Sequence, residues 1–212
     1  MKKTLWTKNF TLVTAASALG AVGGIAGGFA LSFLVFDETG STLASALILA
    51  IQLVPFFVLP LFLAPVMDRL PRKPFLVAGD LIDGVLYALM GLYLLKFEFS
   101  YAAYLGYSLL LACLESFDEL AFQSIYPKLI PEGMEQQGYA VSTTLYPILR
   151  VLMLPLAGVL LDAVGAAWIL IGQGGLSLLA ALIESNIDIT EHRREGGEKL
   201  FTLRQWRADI KE

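Results

Sequence analysis

Three acidic side chains stand close together in one of the most apolar parts of this chain. The segment Leu114-Glu-Ser-Phe-Asp-Glu-Leu120 places Glu115, Asp118 and Glu119 three and four residues apart. In a helix, this spacing puts all three within about 100° of one face. Carboxyl groups held away from water can exchange protons and attract cations, and they are costly to bury in the ionised state. What surrounds this helix therefore decides what the acids can do.

The composition indicates that the surroundings are lipid. Hydrophobic residues make up 57% of the chain and charged residues 16%, against roughly 25% charged residues in ordinary soluble domains. Uncharged runs cover residues 10–36, 41–67 and 163–183. Each is long enough to cross a bilayer, which takes about 20 apolar residues in a helix, and the first is too long for the core of a cleaved signal peptide. The sequence predicts a multi-pass, all-α membrane protein with the lipid bilayer as a partner.

Charged or turn-forming segments divide the apolar sequence into six predicted transmembrane helices: residues 10–36, 41–67, 75–95, 101–124, 138–161 and 163–186. Thirteen of the 15 lysines and arginines then fall on one side of the membrane, Lys96 falls on the other, and Arg150 lies within a helix. Because cytoplasmic loops carry the excess of positive charge, both termini are predicted to be cytoplasmic. The protein itself is predicted to lie in a plasma or inner membrane.

The chain is predicted to divide into two parts. Residues 1–186 form the six-helix bundle, and residues 187–212 form a cytoplasmic segment. In that segment Leu200, Leu203, Trp206 and Ile210 recur at steps of three and four, which predicts an amphipathic helix lying on the inner leaflet.

A short internal repeat suggests how the bundle is built. The second helix contains Leu59-Pro-Leu61 and ends near Asp68, and the fifth contains Leu154-Pro-Leu156 and ends near Asp162. By the predicted orientation these ends lie on opposite faces of the membrane, so the chain would consist of two inverted three-helix repeats, as in many secondary transporters. Five glycines of the first helix add a face that allows close helix packing: Gly20, Gly23, Gly24, Gly27 and Gly28.

The loop after the second helix carries a resemblance to a known family. It reads Ala64-Pro-Val-Met-Asp-Arg-Leu-Pro-Arg-Lys-Pro-Phe-Leu76. This resembles the signature loop of the major facilitator superfamily, G-x-L-a-D-R-x-G-R-K-x-x-L, although Ala64 and Pro71 stand where that signature has glycine. The residues Tyr126-Pro-Lys-Leu-Ile-Pro-Glu132, Gly138-Tyr-Ala-Val-Ser142 and Leu154-Pro-Leu-Ala-Gly158 are similar to the fourth-to-fifth helix region of its drug-efflux branch.

This resemblance has three implications. Family members have twelve helices in two halves, so the chain would be the N-terminal half of a transporter whose partner is a second six-helix half. The function implied is alternating-access export of small lipophilic or cationic compounds, coupled to protons. In the signature loop, Asp68, Arg69, Arg72 and Lys73 would form a cytoplasmic latch between the two halves.

The charges within the helices allow two interpretations. Arg150 and Glu115 are predicted to lie at depths that differ by only about 4.5 Å, so they could form an ion pair, and Asp80 and Asp83 share a face of the third helix. In the first interpretation the acids are structural, paired with Arg150 or with the loop, or placed at the interface. In the second, the acidic face looks into the bundle and at least one acid, with Glu115 the best candidate, exchanges a proton during transport.

Other functions receive less support from the residues. The only histidine, His192, lies in the tail, and no complete intramembrane protease motif occurs. No glycine-rich phosphate loop, His/Cys cluster or nucleic-acid-binding pattern is found, so we expect neither an enzyme nor a cofactor, metal site or nucleic-acid partner. The alternatives that stay open are a non-transporting membrane scaffold or regulator, and a half-transporter that acts as a homodimer.

Overall fold

The computed structural model describes residues 4–67 and 72–188, with side chains for all of these except 63–67 and 72. Within this part the chain forms six α-helices and no strand: α1 (Lys8–Thr39), α2 (Thr42–Met67), α3 (Arg72–Lys96), α4 (Tyr101–Leu129), α5 (Glu135–Val164) and α6 (Ala166–Ser185). The predicted fold class is confirmed. Five of these helices are long and apolar enough to cross a membrane; α4, which carries the acidic segment, is not among the five.

The helices run further into polar sequence than predicted. The first continues through Asp37 to Thr39 and ends at Gly40, whose φ of 63° lets its N–H bond to the Phe36 carbonyl. The fourth continues through Pro127 to Leu129. A proline removes only its own N–H from the ladder, and neighbouring groups in a bundle can satisfy the carbonyl it leaves. The predicted ends of these helices were therefore several residues too early.

Small residues bring α3 and α6 into the closest contact in the bundle. A Cβ atom added at Gly174 would lie 2.6 Å from the carbonyl oxygen of Gly84, and one added at Gly91 would lie 2.6 Å from the carbonyl oxygen of Ala167. Only glycine permits backbones to approach this closely, as is common between helices in lipid. The helices α3 and α6 form the middle pair in the order of contacts α2–α4–α3–α6–α1–α5.

The other helices follow on either side of this pair in a symmetric order. The second helix packs on α4 and the fifth on α1, while α1 packs on α6 and α4 on α3. These contacts persist when α1, α2 and α3 are exchanged with α4, α5 and α6, as expected for two related three-helix units. The outer faces of α2 and α5 stay exposed and apolar: Leu53, Phe57, Leu61, Val151 and Val159 are examples.

Two apolar cores lie at opposite ends of the bundle. The first is at the terminal end, defined here as the end where α1 begins and α6 finishes, and it includes Phe10, Leu76, Ile125 and Ile187. The second is at the far end and includes Leu31, Val35, Tyr104 and Leu170. Ile187 is buried and Asp188 forms an ion pair with Lys8, so the bundle extends to residue 188. Residues 189–212, with the predicted amphipathic helix, lie outside the described residues.

The glycines of α1 do two different things. Gly23 and Gly27 pack against Gln173 of α6, whereas Gly20, Gly24 and Gly28 have no atom within 4 Å of the position a Cβ would take. The predicted packing face therefore exists where Gly23 and Gly27 lie. The second glycine row lies on a part of α1 that no other described atom contacts closely.

Candidate functional site

A polar layer separates the two apolar cores. We define it by seven side chains of α3, α4 and α6, of which Tyr87 also packs in the core at the far end: Asp80, Asp83, Tyr87, Glu115, Asp118, Gln173 and Glu184. On α3, steps of three and four residues keep Asp80, Asp83 and Tyr87 on one side of the helix. The layer brings together residues from three helices, of which α6 is distant in sequence from α3 and α4.

Tyr87 joins the acids of α3 and α4. Its hydroxyl donates to Oε1 of Glu115 at 3.1 Å and lies close enough to Gln173 to interact with it. Asp83, one turn earlier on α3, is buried, and its Oδ1 has no hydrogen-bond partner. Glu115 and Asp83 are close enough to interact electrostatically. Two carboxyl groups thus share one tyrosine-lined region without a described cation.

The three acids of the opening segment do not share one environment. Asp118 is half-buried and lies against Gly79 of α3, where an added Cβ would be 2.7 Å from its Oδ1. Glu115 is exposed, and the surface of the bundle on which it lies is termed the open side. Glu119 is also exposed and accepts a hydrogen bond of 2.7 Å from Gln123. The acidic face as a whole does not look into the six-helix bundle; Asp118 does.

The predicted ion pair between Glu115 and Arg150 is not formed. Arg150 is exposed on α5, and α5 packs on α1 rather than on α4. Among pairs in which both residues are described, the only ion pair joins Lys8 to Asp188. The similar depth predicted from the sequence therefore does not bring the side chains of Glu115 and Arg150 into contact.

Three members of the layer, Tyr87, Gln173 and Glu184, were not predicted from the sequence. Glu184 is only 4% exposed, and Gln173 is 5% exposed. Glu184 was placed near the predicted end of the sixth helix, where a charged residue is expected to reach water, and Gln173 carries no charge. A signal was present, since Gln173, Ser177 and Glu184 follow at steps of four and seven along one side of α6.

The signature loop is described only in part. Asp68 and Arg69 lie outside the described residues, as does the side chain of Arg72. Lys73 Nζ donates to the carbonyl oxygen of Ser185 at 2.8 Å, and Leu76 is buried in the core at the terminal end. The described part of the motif thus connects the start of α3 to the end of α6.

A closure at the terminal end joins the start of α1 to the residues after α6. Lys8 Nζ lies 2.8 Å from Oδ2 of Asp188. Asn9 donates to the Asp188 carbonyl at 2.8 Å and accepts from the Asp188 N–H at 3.1 Å. The hydrogen bond and positive charge of Lys8 lower the pKa of the exposed Asp188 carboxyl below its ordinary value of 3.8.

The segment that resembles the drug-efflux branch has a structural role at the α4–α5 connection. The Tyr126 hydroxyl donates to the carbonyl oxygen of Gly138 at 2.8 Å. Gly138 lies against Ile130, since an added Cβ would be 2.6 Å from that side chain. Tyr126 and the glycine together fix how α5 starts relative to α4.

The chemistry available in the polar layer is proton exchange and attraction of positive charge. Carboxyl oxygens without partners, buried among other carboxyls, are unfavourable when ionised and are relieved by a proton or a cation. No group of His, Cys, Asp or Glu in the described residues has an arrangement that could hold a metal ion.

Comparison with known proteins gave one family match. The profile of a family described as transmembrane secretion effector, of the major facilitator type, matches residues 4–202, almost the whole chain. No significant match was found among curated proteins or solved structures.

Proposed function

Because this chain belongs to the transmembrane secretion effector family of major facilitator type transporters, we propose that it is the N-terminal half of a proton-coupled efflux permease. Family membership favours transport over catalysis and places the chain in a membrane. The proposal adds the direction of transport, the coupling ion and a substrate class of small lipophilic or cationic compounds. Its central observation is the polar layer held between two apolar cores.

The polar layer supports proton coupling through its position and because none of its acids forms an ion pair with a described cation. Coupling requires a group that changes its protonation between the two sides of the membrane. Glu115 suits this role, because it is exposed on the open side of the bundle yet hydrogen-bonded to buried Tyr87. A substrate cation reaching Glu115 from the open side would compete with a proton for the same carboxylate, which is the basis of exchange.

The exposed faces of α2 and α5 support the pairing with a second six-helix half. These helices are the least buried of the candidate spans, at 11% and 6% of their most apolar windows. A second half would cover part of these faces and enclose the open side where Glu115 lies. Asp68, Arg69, Arg72 and Lys73 would then act as the latch between the halves, on the cytoplasmic side, with both termini in the cytoplasm.

Ligand-induced proton release provides the test. Ethidium, a lipophilic cation, is added to the purified chain in lightly buffered detergent solution, and the pH change is recorded. We expect the wild type to release protons and Glu115→Gln to release none, because glutamine has no proton to exchange. The matched control is Glu98→Gln, whose carboxyl is exposed at the far end of the bundle.

The outcome separates coupling from a structural role for the acids. Equal release by wild type and Glu115→Gln would remove Glu115 from the mechanism. If the folded wild type releases no protons, the same assay is run with the chain joined to a second half. The absence of proton release there as well would reject proton coupling.

A homodimer that rebuilds a twelve-helix arrangement is the second candidate, favoured by the same exposed faces. The mass of the protein–detergent complex distinguishes the two. A stable dimer with proton release favours the homodimeric transporter, and a monomer without release in any setting favours a scaffold.

A further inference from the structure

Glu184 is the most unusual carboxyl group in the described part of the chain. It lies at the second-to-last position of α6, is 4% exposed, and its Oε2 has no hydrogen-bond partner. Buried polar atoms are nearly always hydrogen-bonded, and leaving one without a partner is unfavourable, more so if it is charged. A residue that tolerates this cost in the native state calls for an explanation.

The described charged side chains that interact with Glu184 come from α3 and α4, and both are acidic. Helix α3 contributes Asp80 and α4 contributes Asp118, both close enough to interact with Glu184 electrostatically. Three described lysines, Lys8, Lys73 and Lys128, lie at the same end, and no described ion pair joins any of them to Glu184. Lys73 donates to the Ser185 carbonyl, and Lys8 of α1 pairs with Asp188.

Glu184 is separate from the Glu115 region. Gln173 interacts with Tyr87, which donates to Glu115, so Gln173 marks the level of Glu115 on α6. Glu184 follows Gln173 by eleven residues, which corresponds to about 16 Å along the helix towards the terminal end. The distance is too long for direct proton transfer between the two glutamates.

Intermediate carboxyl groups bridge this distance. Asp83 interacts electrostatically with Glu115 and with Asp80, and Asp80 interacts with Glu184. Asp118 is held beside Asp80 by its contact with Gly79, and its Oδ1 also lacks a partner. Each acid between Glu115 and Glu184 therefore interacts electrostatically with the next one along the bundle.

We propose that Glu184, with Asp80 and Asp118, forms a second proton-exchange site at the terminal end of the bundle, through which protons pass between the Glu115 region and the solution. In each transfer an O–H bond of one carboxylic acid breaks and one forms on the neighbouring carboxylate, and the last proton moves from Glu184 to water. This rests on the proposed function, in which Glu115 exchanges a proton with substrate, and it assigns the route that the proton takes afterwards.

Infrared spectroscopy of the purified chain tests the site without transport. The C=O stretching band of protonated carboxyls is followed while the pH is varied, in wild type, Glu184→Gln and the control Glu98→Gln. We expect Glu184→Gln to reduce this band and to change its dependence on pH, and Glu98→Gln, at an exposed carboxyl, to leave the Glu184 contribution in place. A Glu184→Gln profile identical to wild type would overturn the proposal.

Two further variants keep the result interpretable. Asp118→Asn should shift the remaining Glu184 signal, because it removes a neighbouring carboxyl, and an unshifted signal would contradict a shared site. If Glu184→Gln does not fold, Glu184→Asp, which shortens the side chain and keeps the acid, should shift the band rather than remove it.

Ethidium-induced proton release separates this proposal from the proposed function. If Glu115→Gln abolishes release and Glu184→Gln leaves the infrared profile unchanged, Glu115 acts as proposed and the second site does not exist. If Glu184 titrates with Asp118 but ethidium releases no proton in any setting, the proton site exists and coupling to this substrate class is wrong.

Discussion

Replacing Gly174 with alanine tests the packing that positions the polar layer. The new Cβ would lie 2.6 Å from the Gly84 carbonyl oxygen and 2.8 Å from the Ala88 nitrogen, both backbone atoms that no rotamer change can remove. Ordinary contact begins at 3.4 Å, so α3 and α6 would have to separate by about 0.8 Å. A gap of this size costs neighbouring contacts a quarter to a half of their attraction.

The expected loss of stability follows from overpacking. Forcing an extra methyl group into a packed interface typically costs about 1–3 kcal/mol. The same helix supplies a control, because Gly175 is exposed and an added Cβ there has no atom within 4 Å. Both substitutions gain the same helix propensity, about 1 kcal/mol. The difference between the two variants therefore isolates the clash with α3.

The measurement is the free energy of unfolding in detergent, followed by the fluorescence of the three tryptophans. We expect Gly174→Ala to be less stable than Gly175→Ala by about 1–3 kcal/mol. Equal stability of the two variants would refute the close α3–α6 contact, and with it the placement of Asp80 beside Glu184.

Two further predictions concern the terminal end. Tyr126→Phe should lower the free energy of unfolding by about 0.5–1.5 kcal/mol, because it removes the hydrogen bond to Gly138. The control Tyr139→Phe, at an exposed tyrosine, should leave the free energy of unfolding unchanged. The reverse order of the two variants would contradict the role of Tyr126. The lowered pKa of Asp188 means that its pair with Lys8 stabilises the fold above pH 3.8 and that this contribution is lost as the pH falls through the lowered value. Asp188→Asn should remove that pH dependence and the matching sensitivity to salt, as measured by unfolding at several pH values.

Much of the fold could be predicted because lipid makes strong demands on sequence. Runs without charge had to be helices, and charged or proline-containing segments had to separate them, so the number and order of the helices follow from composition alone. The helix ends could not be predicted as well. Asp37 and Pro127 look like breaks in sequence, but a helix loses little by continuing a turn into the interface, where water or neighbouring groups satisfy its ends.

The candidate site was predicted where burial of charge was evident and missed where it was not. Asp80, Asp83 and Asp118 stand within apolar sequence, so their inward placement could be anticipated from the cost of facing lipid. Glu184 stands one residue before the end of its helix. At such a position the sequence does not distinguish a glutamate that reaches water from one that is buried against α3 and α4. The distinction depends on the tertiary contacts of the α3–α6 pair.

The predicted pairing of Glu115 with Arg150 shows what depth alone leaves out. Hydropathy and helix rise place a residue along the membrane normal, but contact also requires that the two helices be neighbours and that both side chains point towards their interface. Here α4 is rotated so that Ser116 is buried and bonds to the Pro55 carbonyl of α2 at 3.3 Å, which turns Glu115 to the open side. Arg150 is exposed on α5, which packs on α1. Two residues predicted at similar depth are therefore kept apart, because α4 packs on α2 and α3 whereas α5 packs on α1.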